Sequence, residues 1–372
     1  MNFGFSEEQD LLRGEVRRFL DERCPIAEVR RLAETQTGYC EKLWEDMAGL
    51  GWLGLIIPET YGGAGLGWVD LIVVLEEMGR SLFPSPFLAN TLAATALVEF
   101  ASDAQKQRWL PELATGSCIG TLALLEEGDV VSAEGTQLRG VPAGDGFVLS
   151  GRKLYVADPE AADLFVVSFR TGDESSDLAL ALVSADQAGV TAKSYPMIDA
   201  TKRMGNLQLD GVRVDKERLL AGGRDAITRL LDVGAVAVTA ECSGSVDAAI
   251  QITAAYARER HQFGEPIGHF QGVKHPLAEM YVDLESFRSL LYYAAWCVES
   301  KPEELPRYAS LAKAYATEAF VRTGIDSIQL HGAIGFTTES DIQLYFKRSK
   351  WARPMFGDAD SHYERALALR GV

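Results

Sequence analysis

The sequence predicts an α+β fold of three successive parts: a helical N-terminal domain, a middle β domain and a C-terminal helical bundle. Three observations predict it. Two capping boxes and helical periodicity occupy the chain up to about residue 115. Short apolar runs separated by turn residues follow to about residue 220. Beyond that point apolar residues recur in alternating steps of four and three. The expected domains are therefore 1–115, 116–220 and 221–372.

Ser6-Glu7-Glu8-Gln9 is a capping box, because a serine hydroxyl and a glutamine amide three residues on can satisfy each other's backbone N–H groups. Leu12, Val16, Phe19 and Leu20 then mark one helix face. Further helices are expected over about 41–49 and 69–82, joined through the loop Pro58-Glu59-Thr60-Tyr61-Gly62-Gly63-Ala64-Gly65. Ser102 to Gln105 repeats the capping box. Strand-like runs cover 119–125, 146–149, 164–169 and 178–183, and then Leu207 to Leu209 with Val212 and Val214. From Asp225 the helical period returns. Its clearest stretch is Val273, Leu277, Met280, Leu284, Phe287 and Leu291, a stripe made to pack on a neighbour, so an antiparallel bundle is expected. Pro276 is compatible with that helix only in its first turns.

Composition narrows the function. The chain of 372 residues is 47% hydrophobic and 24% charged, which is ordinary for a folded protein. A net charge of -17 argues against a nucleic-acid partner, since phosphate binding needs a basic face. No apolar run is expected to reach the roughly 18 residues of a membrane helix, and Met1 to Phe5 does not read as a secretory signal. Cys24, Cys40, Cys118, Cys242 and Cys297 are scattered without a CxxC pair, and the five histidines show no ligand spacing. A reduced, cytoplasmic, metal-free protein is expected.

Four segments resemble the acyl-CoA dehydrogenase family, in the family's order and across nearly the whole chain. They are Ile57 to Gly65 with Leu75-Glu76-Glu77-Met78-Gly79; Ser150 to Val156 with Ala162-Asp163; Arg258 to Gly264 with Pro266-Ile267 and Phe270-Gln271; and Gln329 to Phe336. The resemblance implies a middle β-barrel-like domain, a C-terminal four-helix bundle, tetramers, and FAD lying at a contact between subunits. It implies cofactor roles for Arg260, Phe263, Gln271, Gln329, Gly332 and Gly335. Arg260 resembles the arginine that meets the pyrophosphate, a group that needs a fixed cation and backbone donors. In the Q-x-x-G-G-x-G turn the second glycine is Ala333, which is strained if that position requires a positive φ.

The β domain departs from the family pattern. Where members carry T-E-P-x-A-G-S-D, this chain has Leu125-Glu126-Glu127-Gly128-Asp129, without the threonine that contacts the flavin. The W-I-T/S that packs on the flavin reads Tyr155-Val156-Ala157. By resemblance Leu125, Tyr155 and Ala157 are the flavin-facing positions, with an aromatic ring kept and the hydroxyl lost.

The resemblance implies α,β-dehydrogenation of an acyl-CoA thioester, by α-proton abstraction and β-hydride transfer to flavin. The α C–H is a weak acid and needs a carboxylate in a dry site. The C-terminal stretch that supplies this base in many members reads Phe356-Gly357-Asp358-Ala359-Asp360, so the glutamate position is Gly357. The alternative position on the first long bundle helix is Gly234. Glu241, seven residues on and roughly 10 Å along the same helix face, is the remaining candidate base in an otherwise nearly uncharged stretch. There a carboxylate's proton affinity is expected to rise. The competing reading makes Glu241 a buried hydrogen-bonding or ion-pairing group, held by an arginine of the bundle. Asp358 is a displaced, shorter alternative.

Two other functions stay open on sequence. One is a partner subunit of a heteromeric dehydrogenase, non-catalytic alone. The other is a flavoprotein oxidase on the same scaffold. An electron-transferring flavoprotein is the electron acceptor the resemblance implies, and homotetramer or heterotetramer is the implied assembly.

Overall fold

The computed structural model describes residues 6–128 and 130–371. The Met1 to Phe5 stretch and Asp129 of the Leu125–Asp129 segment lie outside them. Six helices come first: α1 (Glu7–Arg23), α2 (Ile26–Ala33), α3 (Glu41–Gly49), α4 (Trp68–Arg80), α5 (Phe87–Phe100) and α6 (Asp103–Thr115). Eight strands follow: β1 (Gly120–Ala123), β2 (Gly140–Ala143), β3 (Gly146–Ala157), β4 (Leu164–Arg170), β5 (Leu178–Ser184), β6 (Val190–Ser194), β7 (Met204–Val214) and β8 (Leu219–Leu220). Then come α7 (Gly223–Glu259), the short hairpin β9 (His261–Gln262) and β10 (Glu265–Pro266), α8 (Gln271–Ser300), α9 (Leu305–His331), α10 (Ile342–Ala352) and α11 (Ala359–Ala368). The helix–strand–helix order is the one expected.

Both capping boxes form. The hydroxyls of Ser6 and Ser102 accept from the N–H groups of Gln9 and Gln105, whose side chains bond back to the serine N–H. Each such cap stabilises its helix by about 1 kcal/mol. Pro276 falls in the second turn of α8, where the loss of one backbone donor is tolerable.

The described chain forms two compact units. One gathers residues up to Arg31, Trp68–Phe83 and Ala235 onward; the other gathers Leu32–Gly67 and Pro84–Gly234.

In the second unit two four-stranded sheets share one core. Their orders are β1-β4-β5-β8, with β1 and β4 parallel, and β2-β3-β7-β6, antiparallel throughout. Phe165, Val167, Phe169 and Val183 meet Leu149, Val156, Leu207 and Val214 in that core. Each large apolar side chain buried there contributes about 1.5–3 kcal/mol. Strand β3 is interrupted by two register shifts against β7, the second between Lys153 and Val156. Tyr155 sits within it at a φ of 53°.

In the first unit α1 packs on α4, α4 on α8, and α8, α10 and α11 on α9. Met280, Leu284, Phe287 and Leu291 of the predicted stripe are buried. One expectation fails. Helix α7 is long and apolar enough to cross a membrane, yet 89% of its most apolar 18-residue window is buried inside the protein. Over that window it is a core helix, and its apolar residues are not confined to one stripe because most of the window is buried.

Candidate active site

The site expectations fall on three places: the Glu241 segment of α7, the Phe356–Asp358 turn, and the positions assigned to FAD.

Glu241 is 3% exposed. It is buried because α4 and α7 touch at glycines. A Cβ on Gly79 would meet the Glu241 carbonyl oxygen at 2.1 Å, and one on Gly244 would meet the Glu76 carbonyl oxygen at 1.7 Å. Backbones can approach this closely only where both helices present glycine. The bundle arginine of the structural reading is there: Arg348 of α10, 1% exposed, donates through Nη1 to Glu241 Oε2 at 3.4 Å. Its Nη2 reaches the carbonyl of Leu82, a residue with a φ of 52°.

Two residues along, Ser243 donates to Glu76 Oε1 at 2.6 Å. Glu76 also accepts from Tyr292 and from Arg13, the latter at 2.8 Å. Glu77 is held by Arg17, Arg13 and Arg80. Burial would raise the Glu77 carboxyl, but these three cations outweigh it and hold it below the ordinary carboxylate range. At the crossing of α4 and α7 the buried carboxylates of Glu76, Glu77 and Glu241 thus each have a basic or hydroxyl partner, Arg13, Arg17 and Arg80 reaching them from partly exposed positions. Sequence reading missed this network, since Arg13 and Arg17 lie some 60 positions from the acids they meet.

At the C-terminal turn the position where the resemblance places a base carries no carboxylate and is crowded by a neighbour. Gly357 has a φ of 104°, and a Cβ there would lie 2.8 Å from Nε2 of His362. His362 is buried. Its Nε2 donates to the Phe356 carbonyl at 2.9 Å, which leaves Nδ1 to accept from Ser310 Oγ at 3.2 Å. Burial, aided by Lys313, lowers the imidazole to about 4, so it is neutral at pH 7. The buried Lys313 donates to the Gly357 and Arg353 carbonyls at 2.8 and 3.1 Å, and burial lowers it to about 8. Asp358 is occupied as the N-cap of α11, accepting from the Ser361 N–H and hydroxyl. Gly234 is buried in α7.

The FAD positions of the first unit lie at its surface. Phe263 is 92% exposed on the β9–β10 hairpin at a φ of 56°. Arg260, Gln271 and Gln329 are exposed. After α9 the chain makes a 3-10 turn, Gly332–Phe336. Gly332 carries the positive φ, 63°, and a Cβ there would meet nothing within 4 Å. Ala333 is not among the residues with positive φ, so the expected strain at that position is absent. Gly335 is buried against α9. These residues fit a dinucleotide: an arginine, two amides and an open glycine turn at an accessible face.

In the second unit Tyr155 is exposed, and Leu125 and Ala157 are half-buried. Leu125 and Leu154 are bridged, with the Leu154 N–H donating to the Leu125 carbonyl at 2.9 Å. The positions expected to face the flavin therefore lie close together, and their side chains offer no hydroxyl except the phenol. Among the described residues no group of three His, Cys, Asp or Glu side chains could hold a metal.

The profile of the acyl-CoA dehydrogenase N-terminal domain matches residues 6–117, and that of the C-terminal domain matches residues 221–368. The chain is 30% identical to a probable acyl-CoA dehydrogenase, YngJ, of Bacillus subtilis, covering 100% of this chain and 99% of that one. It is 32% identical to acyl-CoA dehydrogenase FadE27 of Mycobacterium tuberculosis, over 98% of this chain and 97% of the other. Among solved structures it superposes on the ChsE4-ChsE5 complex from Mycobacterium tuberculosis with a TM-score of 0.92, 30% identity, and coverage of 100% and 99%. On a Tcur3481-Tcur3483 steroid ACAD variant the TM-score is 0.90, with 34% identity and 98% coverage of both chains.

Proposed function

Because the chain belongs to the acyl-CoA dehydrogenase family, we propose that it serves as one subunit of a heteromeric, FAD-dependent enzyme that introduces an α,β double bond into an acyl-CoA thioester. FAD is the family's cofactor, and when bound it supplies the hydride acceptor. Arg260, Phe263, Gln271, Gln329, Gly332 and Gly335 would hold its dinucleotide, and Leu125, Tyr155 and Ala157 would face its ring.

The observation that carries the heteromeric reading is the state of the base positions. Glu241 is committed to Arg348, position 357 is filled by His362, and Asp358 caps a helix. A proton-abstracting carboxylate must reach the substrate's α carbon and change charge there. Each of these three positions is engaged in contacts within the chain, which supports the reading that a second, related subunit would supply the base. Two of the similar solved structures are named as pairs of unlike components, which supports this assembly. The reduced enzyme passes its electrons to an electron-transferring flavoprotein, and the assembly is a cytoplasmic tetramer.

In a second reading Glu241 is itself the base. Its burial on α7, with no carboxylate at 234 or 357, favours this. A visible spectrum separates the two. The heteromeric reading expects the chain purified alone to be colourless or inert toward acyl-CoA, and yellow and active once co-expressed with a second family member. A yellow, active chain purified alone would remove that reading.

A further inference from the structure

The second unit contains a buried lysine that the reaction does not use. Lys153 is 0% exposed, on β3, two residues before Tyr155. Its ammonium donates to Glu126 Oε1 at 2.6 Å, to Ser168 Oγ of β4 at 2.9 Å and to the Leu124 carbonyl at 3.3 Å. Ser168 donates to the same carbonyl at 3.1 Å. The Glu126 oxygen that receives Lys153 also accepts the backbone N–H groups of Gln137 and Leu138, each at 3.0 Å. One ammonium and one carboxylate therefore tie together β3, β4, the segment after β1 and the 137–138 backbone.

The position of this knot matters. Leu125 lies between Leu124 and Glu126, both of which Lys153 holds. The neighbouring Leu154 N–H bonds the Leu125 carbonyl. Immediately beyond, the register shift turns Tyr155 outward at its left-handed φ. Burying an ammonium is costly unless its partners are well made, and burial does lower this group to about 8, against the pull of Glu126. A packed methionine would serve the core without that cost. What the ammonium adds is a fixed position for the backbone on both sides of Leu125.

We propose that Lys153, through Glu126, is the positioning residue that fixes the Leu125–Glu126 backbone and the outward presentation of Tyr155 against the flavin ring. The proposal rests on the reading that this edge faces FAD. It explains how the edge can keep its shape while its hydroxyl side chains are missing: the backbone, not a threonine or serine, is what is held in place. Lys153 acts from beneath and does not touch the cofactor.

The test uses the flavin-loaded complex with Lys153→Met and Glu126→Gln. FAD release is followed by fluorescence, the midpoint potential by dye equilibration, and amide exchange at 124–128 and 154–156 by mass spectrometry. Lys153→Met is expected to weaken FAD binding by about tenfold, the loss that follows when a charge-assisted hydrogen bond no longer orders a contact. It should shift the potential and speed exchange in both segments. Glu126→Gln keeps the acceptor for 137 and 138 and is expected to show a smaller change of the same sign. In the wild type, affinity should fall as pH rises through about 8, because Lys153 then loses the charge that faces Glu126; in Lys153→Met that pH dependence should vanish. If Lys153→Met does not fold, Glu126→Gln decides alone. Unchanged affinity, potential and exchange in the folded variants would overturn the proposal while leaving the functional reading intact. A wild-type complex that holds no FAD would overturn both.

Discussion

Replacing Arg348 by methionine separates a structural Glu241 from a catalytic one. The change leaves the Glu241 carboxylate, 3% exposed, without its guanidinium, and takes a donor from the Leu82 carbonyl. Removing one partner of a buried ion pair costs about 3–5 kcal/mol, because a charge remains where water cannot reach it. Glu241→Gln keeps an oxygen for Arg348 to bond, so its cost is expected at about 1–3 kcal/mol. Replacing both groups with apolar side chains removes the stranded charge together with its partner. The double variant Glu241→Leu/Arg348→Met should therefore lose at least about 1 kcal/mol less than the sum of Glu241→Leu and Arg348→Met made singly. Urea unfolding of the wild type, the two single replacements and the double variant at fixed FAD supplies these numbers. An Arg348→Met protein within about 1 kcal/mol of the wild type, or strictly additive single changes, would refute the structural assignment of the pair.

Two further outcomes follow from the C-terminal turn. Gly357→Glu should restore no activity and should destabilise the protein by about 2–4 kcal/mol, since the new side chain meets His362 and the backbone is left-handed; a thermal melt and a turnover assay read both, and an active, equally stable variant would show that the position is open. His362 binds its proton in the folded state only near pH 4, against 6.5 when unfolded. The unfolded chain thus holds more protons across that window, and stability should fall by up to about 3 kcal/mol as pH drops from 6.5 to 4. His362→Gln should lose that slope in pH-dependent unfolding.

Much of the scaffold could be read from local signals. Ser6 and Ser102 announce helix starts because a cap is a bond within four residues. Leu164 to Phe169 reads as a strand because its run is short, apolar and bounded by turns. Helix α5 gave no such signal: Phe87 to Leu97 is buried on every side, so no period survives. Strand β6 is polar and lies at a sheet edge, and it was equally silent. The site was legible as residues and not as relationships. The Glu241 segment shows an isolated acid on an apolar helix, yet whether that acid is free depends on Arg348, 107 positions away. Gly357 shows that the glutamate is gone, yet only the fold shows His362 occupying its space. The same limit applies to Lys153, whose partners at 124, 126 and 168 meet only when two sheets close on one core.

The most direct test of this chain's role is a single-turnover experiment. The FAD-loaded chain, first alone and then in complex with its partner subunit, is mixed under anaerobic conditions with acyl-CoAs ranging from short straight chains to sterol-sized ones, and the flavin band is followed. The expected result is no bleaching of the isolated chain, and equal bleaching of complexes whether this subunit is wild type or carries Glu241→Gln. Bleaching of the isolated chain that disappears with Glu241→Gln while FAD is retained would contradict it.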